Sequence, residues 1–83
     1  MPKYTYTETQ MIKDIAKVMA ENTGPFTKLM LVDLLHPIYP TKYKQELMNE
    51  ISMAILTDKK CNNRFAVVRP QVWDLRERVD RGQ

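Results

Sequence analysis

The sequence predicts one small, mainly α-helical domain with a small β-hairpin: three helices followed by two short strands. Three observations lead there. Apolar residues recur at helical spacing in three successive segments of the first two thirds of the chain. The period then changes to short β-branched and aromatic runs on either side of Arg69-Pro70-Gln71. Finally, 83 residues make at most one domain, which buries only roughly 60% of the surface its unfolded chain exposes.

The first helix is predicted from about Glu8 to Glu21. Thr7 and Gln10 fit a capping box, and Tyr6 and Met11 stand in staple positions. Met11, Ile12, Ile15, Val18 and Met19 form the inward stripe, and Asn22-Thr23-Gly24-Pro25 stops the helix. A second, short helix follows Thr27 as cap, with Phe26 and Leu31 again in staple positions. Its apolar residues, Leu29, Met30, Leu31, Val32, Leu34 and Leu35, surround most of its circumference and predict burial on several sides. Pro37 disfavours helical geometry at His36, so His36 to Pro40 reads as a tight connection.

Thr41 is the expected cap of the third helix, which runs to about Leu56 or Thr57. Tyr43, Leu47, Met48, Ile51, Ala54 and Ile55 form its expected inward face, and Lys42, Gln45, Glu46, Asn49, Ser52 and Met53 the opposite one. After a polar loop from Thr57 to Asn63, Phe65-Ala66-Val67-Val68 and Val72-Trp73-Asp74-Leu75 read as strands. Pro70 presets the second turn position, and Gln71 at the third predicts a type I turn, which avoids a positive φ. Residues 1–6 are read as a lead-in, 7–77 as the domain and 78–83 as a polar tail.

Three helices and a two-stranded hairpin follow the winged-helix order. Gly24-Pro25 between the first two helices, with the closing run from Arg64 to Glu77 (RFAVVRPQVWDLRE), resembles the HARE-HTH winged-helix domains of Asx-like chromatin proteins and of the delta subunit of bacterial RNA polymerase. The family's wing carries an aromatic-led strand, a Pro-Gly turn and an aromatic-Xaa-Leu-Arg strand. Here Gln71 replaces the turn glycine. The resemblance covers roughly residues 6 to 77 and implies a transcription- or chromatin-linked module that contacts nucleic acid or protein.

Charge is unevenly placed. The first forty residues sum to zero, and the whole excess of +3 lies in residues 41–83. That asymmetry suggests a nucleic-acid or acidic-partner surface, although charge runs also mark plain solvated faces. If the third helix enters a major groove, Lys42, Gln45 and Asn49 are the candidate base readers. Lys59, Lys60, Arg64 and Arg69 are then the candidate phosphate contacts. Glu46 and Glu50 oppose this, and a +3 domain predicts weak, salt-dependent binding to duplex DNA. The rival reading is a protein-interaction module, a second copy included, that uses the outward Met53 and Leu56.

Catalysis and cofactors find little support. The chain has one His, one Cys and one Ser, whose spacing arranges no triad. His36 and Cys61 cannot supply the four groups of a structural zinc site, and carboxylates follow no calcium-loop pattern. No cofactor, metal or catalytic residue is expected. Cys61 reads as a loop thiol, or a reactive one if Lys59 and Lys60 lower its pKa. A lone cysteine favours a reducing, intracellular compartment: the nucleus in a eukaryote, otherwise the cytoplasm. No apolar stretch is long enough to span a membrane, and no secretory signal opens the chain. Trp73 and Phe65 are expected to plug the gap between hairpin and helices; the alternative, platforms for unpaired bases, needs them in water.

Overall fold

In the computed structural model, which describes residues 8–81, the first helix is capped by Thr9. The Thr7 and Tyr6 expected at this start lie outside the described residues. Thr9 Oγ1 accepts from the Ile12 N–H at 3.3 Å, satisfying a donor that helix geometry leaves unpaired. Helix α1 then runs Gln10–Glu21 and buries Ile12, Ile15, Val18 and Met19. Asn22 ends it, its side-chain amide donating to the Val18 carbonyl at 2.7 Å.

Strand β1 (Phe26–Thr27) was not anticipated, since two residues carry no readable alternation. Thr27 also caps helix α2 (Lys28–Leu35), accepting from the Met30 N–H at 3.2 Å. Burial around α2 is one-sided, against expectation. Leu31, Val32 and Leu35 are buried, but Leu29 (64%) and Met30 are exposed. The neighbours α1, β1 and the third helix cover only one flank. His36 keeps helical dihedrals despite preceding Pro37, and its N–H still reaches the Val32 carbonyl at 2.8 Å. The missing Pro37 donor stops the ladder one residue later, and the Ile38 and Tyr39 amides turn back onto the Leu35 carbonyl.

Helix α3 spans Lys44–Lys59 and starts later than Thr41, which lies in the preceding turn. Its cap is Tyr43, whose N–H donates to Glu46 Oε1 at 3.1 Å. Tyr43 is 78% exposed rather than inward, because a cap residue stands outside the helical repeat. Leu47, Ile51, Ala54 and Ile55 face the core, and so does Asp58. Asp58 is fully buried in the last turn, not in a loop. Its carboxylate accepts from the Arg64 N–H at 2.7 Å, and its carbonyl accepts from the Cys61 and Asn63 amides.

Strands β2 (Phe65–Arg69) and β3 (Val72–Leu75) form the predicted hairpin, joined to β1 in an antiparallel sheet of order β1-β3-β2. Phe26 pairs with Trp73 and Phe65 with Leu75, and the β2 register shifts between Val67 and Arg69. Gln71 has φ +60°, so the expected type I turn is replaced by one with the left-handed residue at the third position. Pro70 cannot take the positive φ that the twist-matching hairpin turns need at their first central residue, so the left-handed residue falls at Gln71, and the β2 register shifts just before the turn.

A further short helix crosses the boundary expected between residues 77 and 78. Helix α4 (Arg76–Asp80) follows β3 directly, and Arg78 reaches Asp74 Oδ1 at 3.3 Å and the Ala20 carbonyl at 3.1 Å. Among the described residues the architecture is thus four helices and a three-stranded antiparallel sheet around one core. That core is contributed by α1, α2 and α3 and closed by Phe26, Phe65 and Leu75, with Trp73 half-buried against it. Beside the β1–β3 pairing, one close approach packs the α1–α2 connection against the sheet. A Cβ on Gly24 would lie 2.7 Å from the carboxylate of buried Asp74 and 2.7 Å from the Phe26 ring.

Candidate interaction surface on the third helix and hairpin

Helical geometry alone places Gln45, Asn49, Met53 and Leu56 on one outward stripe, since successive members are three or four residues apart. All four are exposed. The stripe is polar at its start and apolar at its end: Met53 is 63% exposed and Leu56 59%. Lys59 and Lys60 follow, exposed at the C-terminal end of the helix. Arg69 is exposed at the hairpin tip, beside the exposed Val67 and Val68.

Two sequence-predicted contacts are engaged elsewhere. Lys42 precedes α3 and does not join its outward stripe; its Nζ lies 2.8 Å from Glu50 Oε1. The hydrogen bond to Glu50 holds the Lys42 ammonium above its usual pKa. Arg64 forms an ion pair with Glu8. The long separation between partners hid both pairs, because neither fits the three- or four-residue spacing of a single helix.

Clefts flank α3 on both sides. On the α1 side, Thr9, Met11, Asn49 and Met53 line a shallow cleft of about 390 Å³. On the sheet side lies a groove of about 580 Å³ whose floor includes Ile55, Phe65 and Trp73, with Leu56 and Val67 at its lips. Lys28, Lys59 and Arg76 also line it, and no acidic residue does. Lys28 was not singled out from the sequence and Arg76 only counts in the basic excess of the second half, and only a folded chain brings the starts of α2 and α4 to the end of α3. Arg76 is held in place, donating to the Asn63 carbonyl at 2.9 Å, to Asn63 Oδ1 at 3.2 Å and to the Phe65 carbonyl at 3.4 Å.

A polar network between α1 and the α2–α3 connection has a structural role. The Tyr39 hydroxyl donates to Asp14, whose other oxygen accepts from Gln10 at 3.0 Å. Burial, then the hydrogen bond and charge of Asp14, push the Tyr39 phenol up to about 12. Ser52 donates to the Met48 carbonyl at 3.1 Å, a local bond that needs no neighbouring base. Among the described residues, no three His, Cys, Asp or Glu side chains meet as a metal-holding group, and no helix is long and apolar enough to cross a membrane. Comparison of the chain with protein-family models, with curated proteins and with solved structures returned no match.

Proposed function

We propose that this chain is a non-catalytic winged-helix module of transcription or chromatin regulation that docks a protein partner on the outer face of α3 and the adjoining hairpin. The observation that carries the reading is the exposure of Met53, Leu56 and Val67, the last at 65%, around one groove and its edge. Burying each would contribute roughly 1.5–3 kcal/mol before association entropy is subtracted. A face that reads base edges needs polar reach, and two of the seven candidate DNA contacts, Lys42 and Arg64, are spent on Glu50 and Glu8. The strand between α1 and α2 that pairs with the hairpin supports the winged-helix reading of the fold.

Duplex DNA remains the second reading, favoured by Gln45 and Asn49 exposed one turn apart and by Lys59, Lys60 and Arg69 exposed beyond them. The deciding experiment selects peptides from a random library on the folded domain and on its Met53→Glu and Leu56→Glu variants. Alongside it, each protein is titrated with duplex DNA at low salt. Peptides that lose binding to both variants, with only weak duplex binding that neither substitution changes, are the expected result. An empty selection, with duplex affinity that collapses on Asn49→Ala and Lys59→Glu, would transfer the face to nucleic acid.

A further inference from the structure

Resting on that reading, we propose the chemical class of the partner: an acidic segment with bulky apolar anchors, seated in the groove between the end of α3 and the sheet. The argument starts from the groove's composition. Ile55, Phe65 and Ala66 lie buried beneath it, the half-buried Trp73 faces it, and Leu56 and Val67 stand exposed at its lips. Such a surface takes apolar side chains, because each methylene removed from water there finds packed partners rather than other exposed polar groups.

The charges around it have one sign. Lys28 enters at the first residue of α2, Lys59 at the last residue of α3 and Arg76 at the first residue of α4. No aspartate or glutamate lines the groove, although ten are available in the chain. Five of these acids are engaged elsewhere. Asp58 and Asp74 are buried, Glu8 pairs with Arg64, Asp33 lies 3.7 Å from Lys44, and Glu50 holds Lys42. Within the groove itself a carboxylate meets Lys28, Lys59 and Arg76 with no acid among the lining residues, while Glu77 and Asp80 lie with Arg76 in the adjoining cleft. Arg76 offers a guanidinium already oriented by Asn63 and Phe65, so less side-chain entropy is lost on binding.

The occupant is a segment of chain rather than a small molecule. The groove continues past Leu56 onto an open surface of Met53, Thr57, Lys59 and Lys60, so the basic and apolar footprint outlasts the cavity itself. Nucleic acid fits less well, since it offers phosphates to the basic rim but few aliphatic groups to Leu56, Val67 and the apolar floor. A second copy of the chain fits less well too, because the same basic rim would face itself across a two-fold axis.

Trp73 reports directly on the site. The test titrates the domain with four probes and follows Trp73 emission. These are a short synthetic peptide of Asp and Glu interleaved with Leu and Phe, the same peptide with Ala for each apolar residue, the same peptide with Lys for each acid, and duplex DNA. The full acidic peptide should bind with a blue shift, and roughly tenfold more weakly after either Leu56→Asp or the pair Lys28→Glu and Lys59→Glu. The alanine and lysine peptides should each bind at least roughly tenfold more weakly than the full one. Unfolding transitions check that the exposed substitutions leave the fold intact. Equal binding of the full and alanine peptides, or duplex binding as tight as the full peptide and indifferent to Leu56→Asp, would overturn the proposal. If the acidic probe fails while library peptides without acids still depend on Leu56, the acidic class is wrong and the docking face stands. If no peptide of any composition binds, both fail.

Discussion

Replacing Gly24 with alanine should destabilise the domain by about 2–4 kcal/mol, for a reason that lies in packing rather than in backbone freedom. The added Cβ would sit 2.7 Å from Asp74 Cγ, 2.7 Å from Asp74 Oδ2 and 2.7 Å from Phe26 Cε2. Phe26 is fully buried and Asp74 is 1% exposed, so neither has open space to move into. Overpacking a closed site costs about 1–3 kcal/mol. Pushing Asp74 aside also strains its bonds from the Leu75 N–H at 2.8 Å and from Arg78 at 3.3 Å, and each charge-assisted bond is worth about 1.5–3 kcal/mol. Against this, alanine narrows the unfolded ensemble and returns about 0.4–1 kcal/mol. Urea unfolding of the parent, Gly24→Ala, Asp74→Ala and the double variant measures both the loss and its coupling. If the crowding is real, Gly24→Ala costs less once Asp74 is shortened. A Gly24→Ala unfolding free energy within about 0.5 kcal/mol of the parent, or strictly additive losses, would refute the reasoning.

Two further outcomes are expected. Gln71→Gly should stabilise the domain by about 0.5–1 kcal/mol in the same unfolding assay. It relieves a left-handed conformation costing about 1–2 kcal/mol and gives back part of that as unfolded-state entropy. Tyr39 titrates at about 12 in the fold against 10.0 in a free chain, so the folded state keeps a proton that the unfolded state has lost between those values. Its contribution is therefore complete below pH 10 and disappears as pH rises towards 12, and Tyr39→Phe should flatten this alkaline limb while costing about 1–1.5 kcal/mol at neutral pH.

What could be read from the sequence was local. The stripe Ile12, Ile15, Val18, Met19 and the cap at Thr27 depend on neighbours within one or two turns, and the structure has both. The hairpin was legible for the same reason, through β-branched residues on both sides of Pro70. Misreadings arose where two local solutions compete. Thr7 and Thr9 both precede the first helix, and Thr41 and Tyr43 both precede the third, so a cap chosen by residue type alone shifts by two positions. Leu29 and Met30 looked buried because hydrophobicity reports what a side chain prefers, whereas the number of neighbouring elements decides what it gets.

The site followed the same division. Gln45, Asn49, Met53 and Leu56 were legible as an outward set because one helix carries them. The fates of Lys42 and Arg64 were not, because Glu50 and Glu8 reach them only after loops have closed. The groove was equally hidden. Lys28, Lys59, Trp73 and Arg76 come from four different elements, and no spacing rule joins them.

The strand order β1-β3-β2 bears on how the chain can acquire its structure as it is synthesised. The central strand, which hydrogen-bonds to both neighbours, is the last of the three to leave the ribosome. Until Val72–Leu75 emerges, β1 and β2 have no partner, and Phe26 and Phe65 lack the register that seats them over the helices. The three long helices can associate earlier through near-neighbour contacts, leaving a helical intermediate with an open side. A nascent chain paused before residue 72 would lack Trp73 and Leu75 and leave that side of the helices uncovered, and one central strand then completes sheet, core and groove together.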